Sequence, residues 1–575
     1  MPPREDRIII LTTGARWTRA VHGIYELFQR PYVQIPTRVG RRDNTSTSST
    51  FDSNEYIVGT ELDDLIARHE RIDVIYPIRG GKVKDWNALL AVWRHILLNQ
   101  LHLRVSQNDC PLLVSLPPNL SRDDQAYATR ILFENFNVPS LIIAEEPLLS
   151  SYAAGALTST VVDFGWENCT VSPVMENVGV IHTAVQRSSV GIRHIALYLA
   201  HLLSRDESVV QALIKLDATR SARSTANVDQ ESAGDLLAIR LFELAVELIK
   251  EGKVRAAGQG GEGEGAHARG RHREDEAEFD VAAALVAGRE KAAIEEQERK
   301  NKAALEAANK TSEETGVSVP AEAEVLTAAD GTSGHAQAGA TDEEGSETIV
   351  FQGLRVRVSP GPLLQATEVL WDPSILLSMR GSLAKSPVRS MGQYDFGING
   401  YVQEDFTVMR SLTDTISAAI SSVVDVDRRP QLWETLLPTG APAKLIANLN
   451  TAIVKASQAY LASNADNAPG TTALAGFGGG STGLNSALAS AGPTSRDSPG
   501  MGGDIEGGAQ PTTARCIKTP DYFAEFKDRT DLAPFLGATI YAKLAFTDPF
   551  GRLVTSKAVY NEKGPSASFL ISAPS

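Results

Sequence analysis

The stretch PLLVSLPPNLSRDDQAYATRILFENFNVPSLIIAEEPLLSSYAAG, residues 111–155, contains the alternation that decides the fold. Its first segment, PLLVSLPP, is a short apolar run that predicts a buried strand closed by two prolines. Ser121 predicts a helix start, because its side chain can cap the helix and Asp124 follows three residues later. The run SLIIAEEP at 140–147 predicts a second strand, and Gly155 predicts the end of the helix that follows. This alternation of strand and helix indicates an α/β protein with mixed sheets.

The same kind of pattern continues on both sides of this stretch. Upstream, RIIIL at 7–11 predicts a short buried strand. DWNALLAVWRHILLN at 85–99 predicts an amphipathic helix with Asp85 as its N-cap. Downstream, STVVDFG at 159–165 and NCTVSPVMENVGV at 168–180 predict a β-hairpin. The hairpin places an acidic residue and a glycine directly after a strand, where such residues can hold a metal ion and a phosphate.

Composition excludes several classes of function. The chain has 575 residues and a net charge of −15, which argues against direct DNA or RNA binding by the fold as a whole. Three separated cysteines give neither a metal-binding pattern nor a disulfide framework. The N-terminal apolar run is too short for a signal peptide, and no segment approaches the ~18 apolar residues of a membrane span. We therefore expect an intracellular, soluble protein without a metal site.

Three tracts of low complexity predict disordered insertions. Residues 252–278 and 311–346 are rich in Gly, Ala, Glu, Ser and Thr, and residues 463–513 form a Gly/Ser/Ala tract. Segments with so few large apolar side chains cannot bury enough surface to offset their chain entropy. Between the first two tracts, residues 279–310 begin apolar and become highly charged, which predicts a helix.

The order of these segments resembles that of the actin family. The matching runs are YPIRGGKVKDWNALLAVWRHIL at 76–97, the stretch 111–155, and VVDFG at 161–165. PFLGATIYAKLAF at 534–546 and SKAVYNEKGPS at 556–566 are similar to the C-terminal segments of that family. The resemblance implies an actin-like bilobed α/β fold, shared with Hsp70 and sugar kinases, with two mixed sheets flanked by helices and with disordered insertions.

The resemblance also implies four subdomains. Subdomain 1 would comprise residues 1–35, 75–153 and 535–575, and subdomain 2 residues 36–74. Subdomain 3 would comprise residues 154–193 and 405–534, and subdomain 4 residues 194–404. The predicted insertions fall in the last two: 463–513 in subdomain 3, and 252–278, 279–310 and 311–346 in subdomain 4.

The residues that match the family's nucleotide pocket are degraded. Actins hold a metal-bound triphosphate between two glycine hairpins, each with an aspartate, and a glycine turn contacts the nucleoside. Here the first hairpin has no aspartate, and bulky Arg16 and Trp17 follow its glycine; in the second, Trp166 and Glu167 follow VVDFG. Glu167 would repel a polyphosphate. The matching pocket residues are Thr13, Gly14, Asp163, Gly165 and Gly440.

This loss implies a protein without catalytic residues, a cofactor or a bound metal. The family's water-orienting glutamine maps to Glu146 and its catalytic histidine to Thr170, and neither repeats the original hydrogen bonding. One alternative is a diverged actin-like ATPase that binds ATP and uses Asp163 for the metal. A protein kinase is excluded, because the chain lacks the lysine and catalytic-loop motifs of kinases.

Partners of actins insert a helix into an apolar cleft, and the resemblance places such a cleft in this chain. The matching positions are Tyr152, Gly155, Leu157, Leu536, Ile540, Tyr541 and Leu544, two or three of which we expect to be ordinary core. The sequence is similar to fungal actin-related subunits of SWI/SNF- and RSC-type chromatin remodellers. That similarity implies a nuclear, non-catalytic scaffold that pairs with a second actin-related protein on the helicase-SANT-associated helix of a motor ATPase.

A second alternative is an actin-related subunit of dynactin. In either complex we expect no filaments, since a polar Ser/Thr run occupies residues 41–64, where actin has its partner-gripping loop.

Overall fold

The computed structural model describes most of the chain outside its low-complexity tracts. The described residues are 4–24, 29–42, 56–68, 70, 72–176, 179–221, 230–256, 346–383, 410–465, 513–548 and 550–570. The predicted helix at 279–310 and nearly all of the three predicted disordered tracts lie outside them. Among the described residues, no helix has both the length and the apolar character needed to cross a membrane.

The strands and helices follow the alternation that the sequence predicts. The strands are β1 Ile9–Thr13, β2 Trp17–His22, β3 Val33–Pro36, β4 Val39–Arg42, β5 Ile72–Ile75, β6 Ile78–Arg79, β7 Lys82–Val83, β8 Leu112–Leu116, β9 Ser140–Glu145, β10 Ser159–Phe164, β11 Cys169–Met175, β12 Gly179–Val180, β13 Gln186–Ser188, β14 Glu347–Phe351, β15 Leu354–Val358, β16 Leu436–Thr439 and β17 Thr555–Ser556.

The helices are α1 Thr60–Ala67, α2 Trp86–Arg94, α3 Arg122–Phe136, α4 Glu146–Ala154, α5 Ile192–Leu203, α6 Glu207–Ser221, α7 Gln230–Lys250, α8 Pro360–Gln365, α9 Glu368–Trp371, α10 Ser374–Leu383, α11 Leu412–Ser421, α12 Arg429–Glu434, α13 Ala443–Ala465, α14 Ala533–Thr547 and α15 Lys557–Lys563.

Two mixed sheets organise the described chain. The first has six strands in the order β17-β9-β8-β1-β2-β3, with β1 parallel to β8 and antiparallel to β2. In the second, β10 lies between antiparallel β11 and parallel β16, and β12 and β13 both pair with β11. The predicted hairpin of 159–180 is thus confirmed, as is the α/β class with mixed sheets flanked by helices.

Local signals in the sequence explain where two of these helices begin. The side chain of Asp85 accepts a hydrogen bond from the Ala88 N–H, and that of Ser121 accepts one from the Asp124 N–H, so both predicted N-caps are confirmed. The helix predicted over 85–99 changes form within its length. Its α-helical part, α2, ends at Arg94, and His95–Gln100 continue as a π-helix.

Each sheet packs against its own helices. The first sheet buries apolar residues of α2 and α3 on one face and of α14 on the other, while α5 and α7 share a core with the second sheet. Helices α4 and α14 approach closely because Gly537 has no side chain. A Cβ at that position would overlap the Leu149 carbonyl oxygen.

The low-complexity tracts begin and end differently from the prediction. Residues 252–256 are packed, with Val254 and Ala256 buried and the Arg255 N–H donating to the Leu363 carbonyl. Residues 463–465 end helix α13. The composition of these residues resembles that of the tracts beside them, and only long-range contacts set them apart. The four subdomain boundaries remain a prediction.

Candidate functional site

A cavity of about 560 Å³ lies where the tips of the β1–β2 and β10–β11 hairpins meet. Its lining also includes residues of α4, α7 and the start of α13, and the segment before α14. Four of the five predicted pocket residues line it: Gly14, Asp163, Gly165 and Gly440. A cavity of this size could hold a drug-sized ligand.

Polar groups of the first hairpin form hydrogen bonds within the protein instead of facing the cavity. The Gly14 N–H donates to the Trp17 carbonyl at 3.0 Å, which closes the turn and removes that amide as a donor to a ligand. Thr13 does not line the cavity as predicted. Its buried hydroxyl accepts a hydrogen bond from the Trp93 indole N–H at 3.1 Å, and Thr12 lines the cavity in its place.

The second hairpin is held by the helix that follows it. The carbonyls of Gly165 and Trp166 accept hydrogen bonds from the first N–H groups of α5, those of Ile192 and Arg193, at 3.0 and 2.9 Å. The Trp166 side chain lines the cavity, and the guanidinium carbon of Arg16 lies 3.8 Å from the centre of its ring. A cation–π stack therefore joins the two hairpin tips, where the actin family holds phosphates.

Glu167 does not face the cavity, contrary to the prediction that it would repel a ligand there. Its carboxylate accepts a hydrogen bond from the Gly80 N–H at 2.7 Å and lies 3.8 Å from the Arg193 guanidinium. The Glu167 side chain therefore links the second hairpin to the segment between β6 and β7.

Arg187 on β13 adds a further link between the two sheets. It donates to the carbonyls of Pro118 at 2.8 Å and Gly81 at 3.3 Å, and burial lowers its pKa. No sequence pattern indicates this role, because the acceptors are backbone oxygens that are distant along the chain.

Two carboxyl groups, Asp163 and Glu146, lie deep in the cavity. Burial raises the pKa of Asp163, and the Thr439 hydroxyl, which donates to it across 3.5 Å, partly opposes the shift. Burial and the neighbouring Asp163 raise the pKa of Glu146. Gly440 has a φ of 84° and lies so close that a Cβ there would overlap the Asp163 carboxylate, so only glycine fits this turn.

A network of charges that the sequence analysis did not predict forms another wall of the cavity. Arg19 on β2 donates to the Asp531 carboxylate at 2.7 Å, and Arg529 donates to the same group at 2.8 and 3.0 Å. Burial lowers the pKa of Arg19, while Asp531 opposes the shift. The network ties the first hairpin to the segment that leads into α14.

The predicted partner cleft lies along helices α4 and α14. Leu536 and Tyr541 are buried, which fits the expectation that two or three of the seven positions are core. The Tyr152 and Tyr541 rings meet edge to face at 5.1 Å, and Leu157 and Ile540 are half-buried. Gly155 is exposed, and Leu544 keeps 56% of its surface exposed. The role of this strip as a partner site remains a prediction.

Comparison with known proteins identifies the class. Residues 4–255 match the family model described as Actin, and the chain therefore carries an actin-family domain. The expected actin-like fold is thus confirmed.

Individual relatives are similar over shorter regions. The chain is 31% identical over 239 residues to the SWI/SNF and RSC complexes subunit arp9 of Schizosaccharomyces pombe, a match that covers 35% of this chain and 45% of that protein. It is 32% identical over 151 residues to Actin-related protein 2 of Arabidopsis thaliana, covering 26% and 37%. It is 29% identical over 174 residues to Actin-like protein 9 of Bos taurus, covering 30% and 40%. The matches span less than half the length of each of these relatives.

The cavity residues do not fit a metal-bound triphosphate of the actin type. The hairpin of Gly14 supplies no carboxylate, its first amide is already bonded, and Arg16 and Trp166 stack between the hairpins. Among the described residues, no group of three or more His, Cys, Asp or Glu side chains is arranged to hold a metal ion.

Proposed function

We propose that this chain is a non-catalytic actin-related scaffold subunit of a SWI/SNF- or RSC-type chromatin remodeller in the nucleus. The observation that carries the proposal is the Arg16–Trp166 stack between the two hairpins. The stack links the two hairpins by side chains, in the place where a bound nucleotide links them elsewhere in the family, so the hairpins need no nucleotide to hold them together. The similarity to a protein named as a SWI/SNF and RSC subunit supports the choice of complex.

The chemistry needed for hydrolysis has no evident source in the cavity. Hydrolysis of ATP requires a held metal ion and a positioned water. Asp163 is half-buried, and the hairpin of Gly14 supplies no second carboxylate for a metal ion. The position that matches the family's water-orienting glutamine is Glu146, a carboxyl group whose pKa is raised by burial and by Asp163. A diverged ATPase is therefore the weaker candidate.

The groove along α4 and α14 is the proposed binding surface for the motor's helicase-SANT-associated helix. An amphipathic helix docks by placing apolar residues, one per turn, along a continuous apolar strip. Leu544 and Ile540 lie one turn apart on α14 and are both at least partly exposed, while the Tyr152 ring of α4 contacts the Tyr541 ring of α14. A second actin-related protein would bind the same motor helix beside this chain.

Capture of the motor helix tests the proposal. The full chain, immobilised, should retain a peptide of the helicase-SANT-associated helix from the same organism's remodeller motor. The chain with Leu544→Glu should retain the peptide much less well, because a charge would be buried in the groove. Val350→Glu, which alters an exposed strand residue on β14, is the matched control. Equal retention of the peptide by both variants would contradict the proposed groove.

Four further measurements test the alternatives and the remaining expectations. Incubation with radiolabelled ATP and Mg²⁺ should give no turnover; stoichiometric retention or hydrolysis would favour the ATPase. Co-purification from cell extract should recover remodeller subunits and a second actin-related protein, whereas dynactin subunits would favour a motor-cargo complex. The protein should remain in the supernatant after ultracentrifugation in polymerising salt, and it should show no sequence-specific binding to DNA.

A further inference from the structure

Exposed apolar side chains are concentrated at the end of helix α14. Among the described residues, ten large apolar side chains are exposed, and three of them, Leu544, Phe550 and Leu553, lie close together in sequence. Phe550 keeps 74% of its surface exposed and Leu553 keeps 39%. Single exposed apolar side chains need no explanation, whereas a cluster of them indicates a binding surface.

Asp548 holds the turn after α14 in one conformation. Its carboxylate accepts hydrogen bonds from the Phe550 N–H at 3.1 Å and from the Arg552 N–H at 3.2 Å, and its carbonyl accepts one from the Gly551 N–H at 3.0 Å. Gly551 has a φ of 59°, a conformation that glycine adopts readily. Phe550 is therefore presented by an ordered backbone, which lowers the entropy cost of binding a partner.

This turn lies in line with the groove along α4 and α14. Ile540, Leu544 and Asp548 are four residues apart, so their side chains follow one line along the helix. Asp548 is the C-cap and keeps a helical φ of −59°. Because its side chain holds the backbone of the turn, the turn begins about one helical turn, ~5 Å, beyond Leu544. The exposed apolar strip thus continues past the end of α14.

Arg552 places a positive charge beside the exposed ring. Its guanidinium carbon lies 4.8 Å from the centre of the Phe550 ring, and its exposed side chain makes no ion pair within the described chain. The Asp548 carboxylate is already bonded to N–H groups of the turn. Aromatic and arginine side chains often dominate the energy of interfaces, and a guanidinium without an ion pair favours a carboxylate.

We propose that Phe550, Arg552 and Leu553 form a second contact for the amphipathic helix that binds the groove, and that this contact recognises an apolar residue with a carboxylate beside it. The inference rests on the proposed function, because the occupant is the helix assigned to Ile540 and Leu544. A helix that lies along α14 and contacts Leu544 reaches the turn one or two of its own turns further on. Charge complementarity with Arg552 then selects helices that have an acidic residue at that point.

Fluorescence anisotropy of a labelled peptide of the helicase-SANT-associated helix, titrated with the full chain, tests the second contact. We expect Phe550→Ala to raise the Kd about ten-fold, because the partner can no longer bury the ring. Tyr522→Ala removes a ring of similar exposure, 73%, from the segment before α14 and should leave the Kd unchanged. Arg552→Gln should raise the Kd about three-fold and reduce its dependence on salt, whereas Arg355→Gln on β15 should do neither.

An exchange of charges locates the contact on the peptide. Arg552→Glu should weaken binding, because two carboxylates would then face each other. Peptides in which each acidic residue in turn is replaced by Lys should include one that binds the Arg552→Glu chain more tightly than it binds the unaltered chain. A purely structural role of Arg552 would give no such rescue.

The outcomes separate this inference from the proposed function. If Leu544→Glu abolishes binding while Phe550→Ala and Arg552→Gln leave the Kd unchanged, the second contact is overturned and the groove is retained. If the unaltered chain does not bind the peptide, both are overturned. Dimers of the chain that Phe550→Ala dissociates, with peptide binding unchanged, would assign the surface to a second copy and overturn the inference. Because the altered side chains are exposed, the variants should fold, and circular dichroism checks that they do.

Discussion

The stack of Arg16 on Trp166 should stabilise the fold, and a double-mutant cycle measures by how much. The changes are Arg16→Gln and Trp166→Leu, singly and together. Leucine keeps an apolar side chain next to Phe242, which meets the Trp166 ring edge to face at 6.3 Å. Glutamine keeps most of the length of Arg16 but removes its charge. The cycle therefore isolates the interaction between the cation and the ring.

The magnitude follows from distance and burial. The guanidinium carbon is 3.8 Å from the ring centre, well inside the ~6 Å limit for such contacts. Because Arg16 is half-buried and lines the cavity, the interaction should lie between the ~0.5–1 kcal/mol of exposed pairs and the ~2 kcal/mol of desolvated ones. We therefore expect a coupling free energy of about 1–1.5 kcal/mol.

Urea unfolding followed by circular dichroism gives the four free energies of unfolding. The control is a second cation–π pair, Arg130 with Tyr127, in which the guanidinium carbon lies 4.6 Å from the ring within the single helix α3 and Arg130 is exposed. Its coupling should be about 0.5 kcal/mol. A coupling for Arg16 and Trp166 no larger than that of the control would refute the view that this stack holds the hairpins together.

Three other changes have defined outcomes. Leu544→Ala should raise the Kd for the motor helix about five-fold, since roughly half of a leucine's ~2 kcal/mol of burial remains available, and Val350→Ala should not; fluorescence anisotropy of a labelled peptide compares them. Gly537→Ala should lower the free energy of unfolding by about 1–3 kcal/mol, because its methyl group forces backbone apart, and urea titration measures the loss. Burial and Asp163 raise the pKa of Glu146 from 4.5 to about 8, so the folded chain favours the neutral form of this group. The stability that this preference contributes should be full below pH 4.5 and be lost as the pH rises through 8. Glu146→Gln should flatten that loss when the free energy of unfolding is measured across this range.

The sequence predicts the elements of this fold well because its local signals agree with its tertiary contacts. Ser121 and Asp85 cap the predicted helices, and Gly155 adopts the left-handed conformation that ends α4. The π-helix after Arg94 was missed, because the side-chain pattern of HILLN is compatible with either helix. Periodicity alone cannot separate the two forms.

The candidate site is less predictable, because its contacts join residues that are distant in sequence. Bulky residues beside Gly14 indicated a changed pocket, but the partner of Arg16 lies 150 positions further along the chain. The same limit explains the error on Glu167. A carboxylate in the phosphate hairpin suggests repulsion of a ligand, whereas the folded chain provides the Gly80 N–H and Arg193 for it.

Helix α4 connects the two sites that this fold presents. Its first residue, Glu146, lines the cavity, and Tyr152 near its last turn borders the groove, so about 9 Å of rigid helix separates them. The close approach of Gly537 to Leu149 fixes the middle of α4 against α14. In a relative that binds a nucleotide, a movement at the nucleotide end of such a helix would also move its other end. Here the hairpins are already joined by side chains, so we expect the proposed groove to keep one arrangement, as the proposed binding of a partner helix requires.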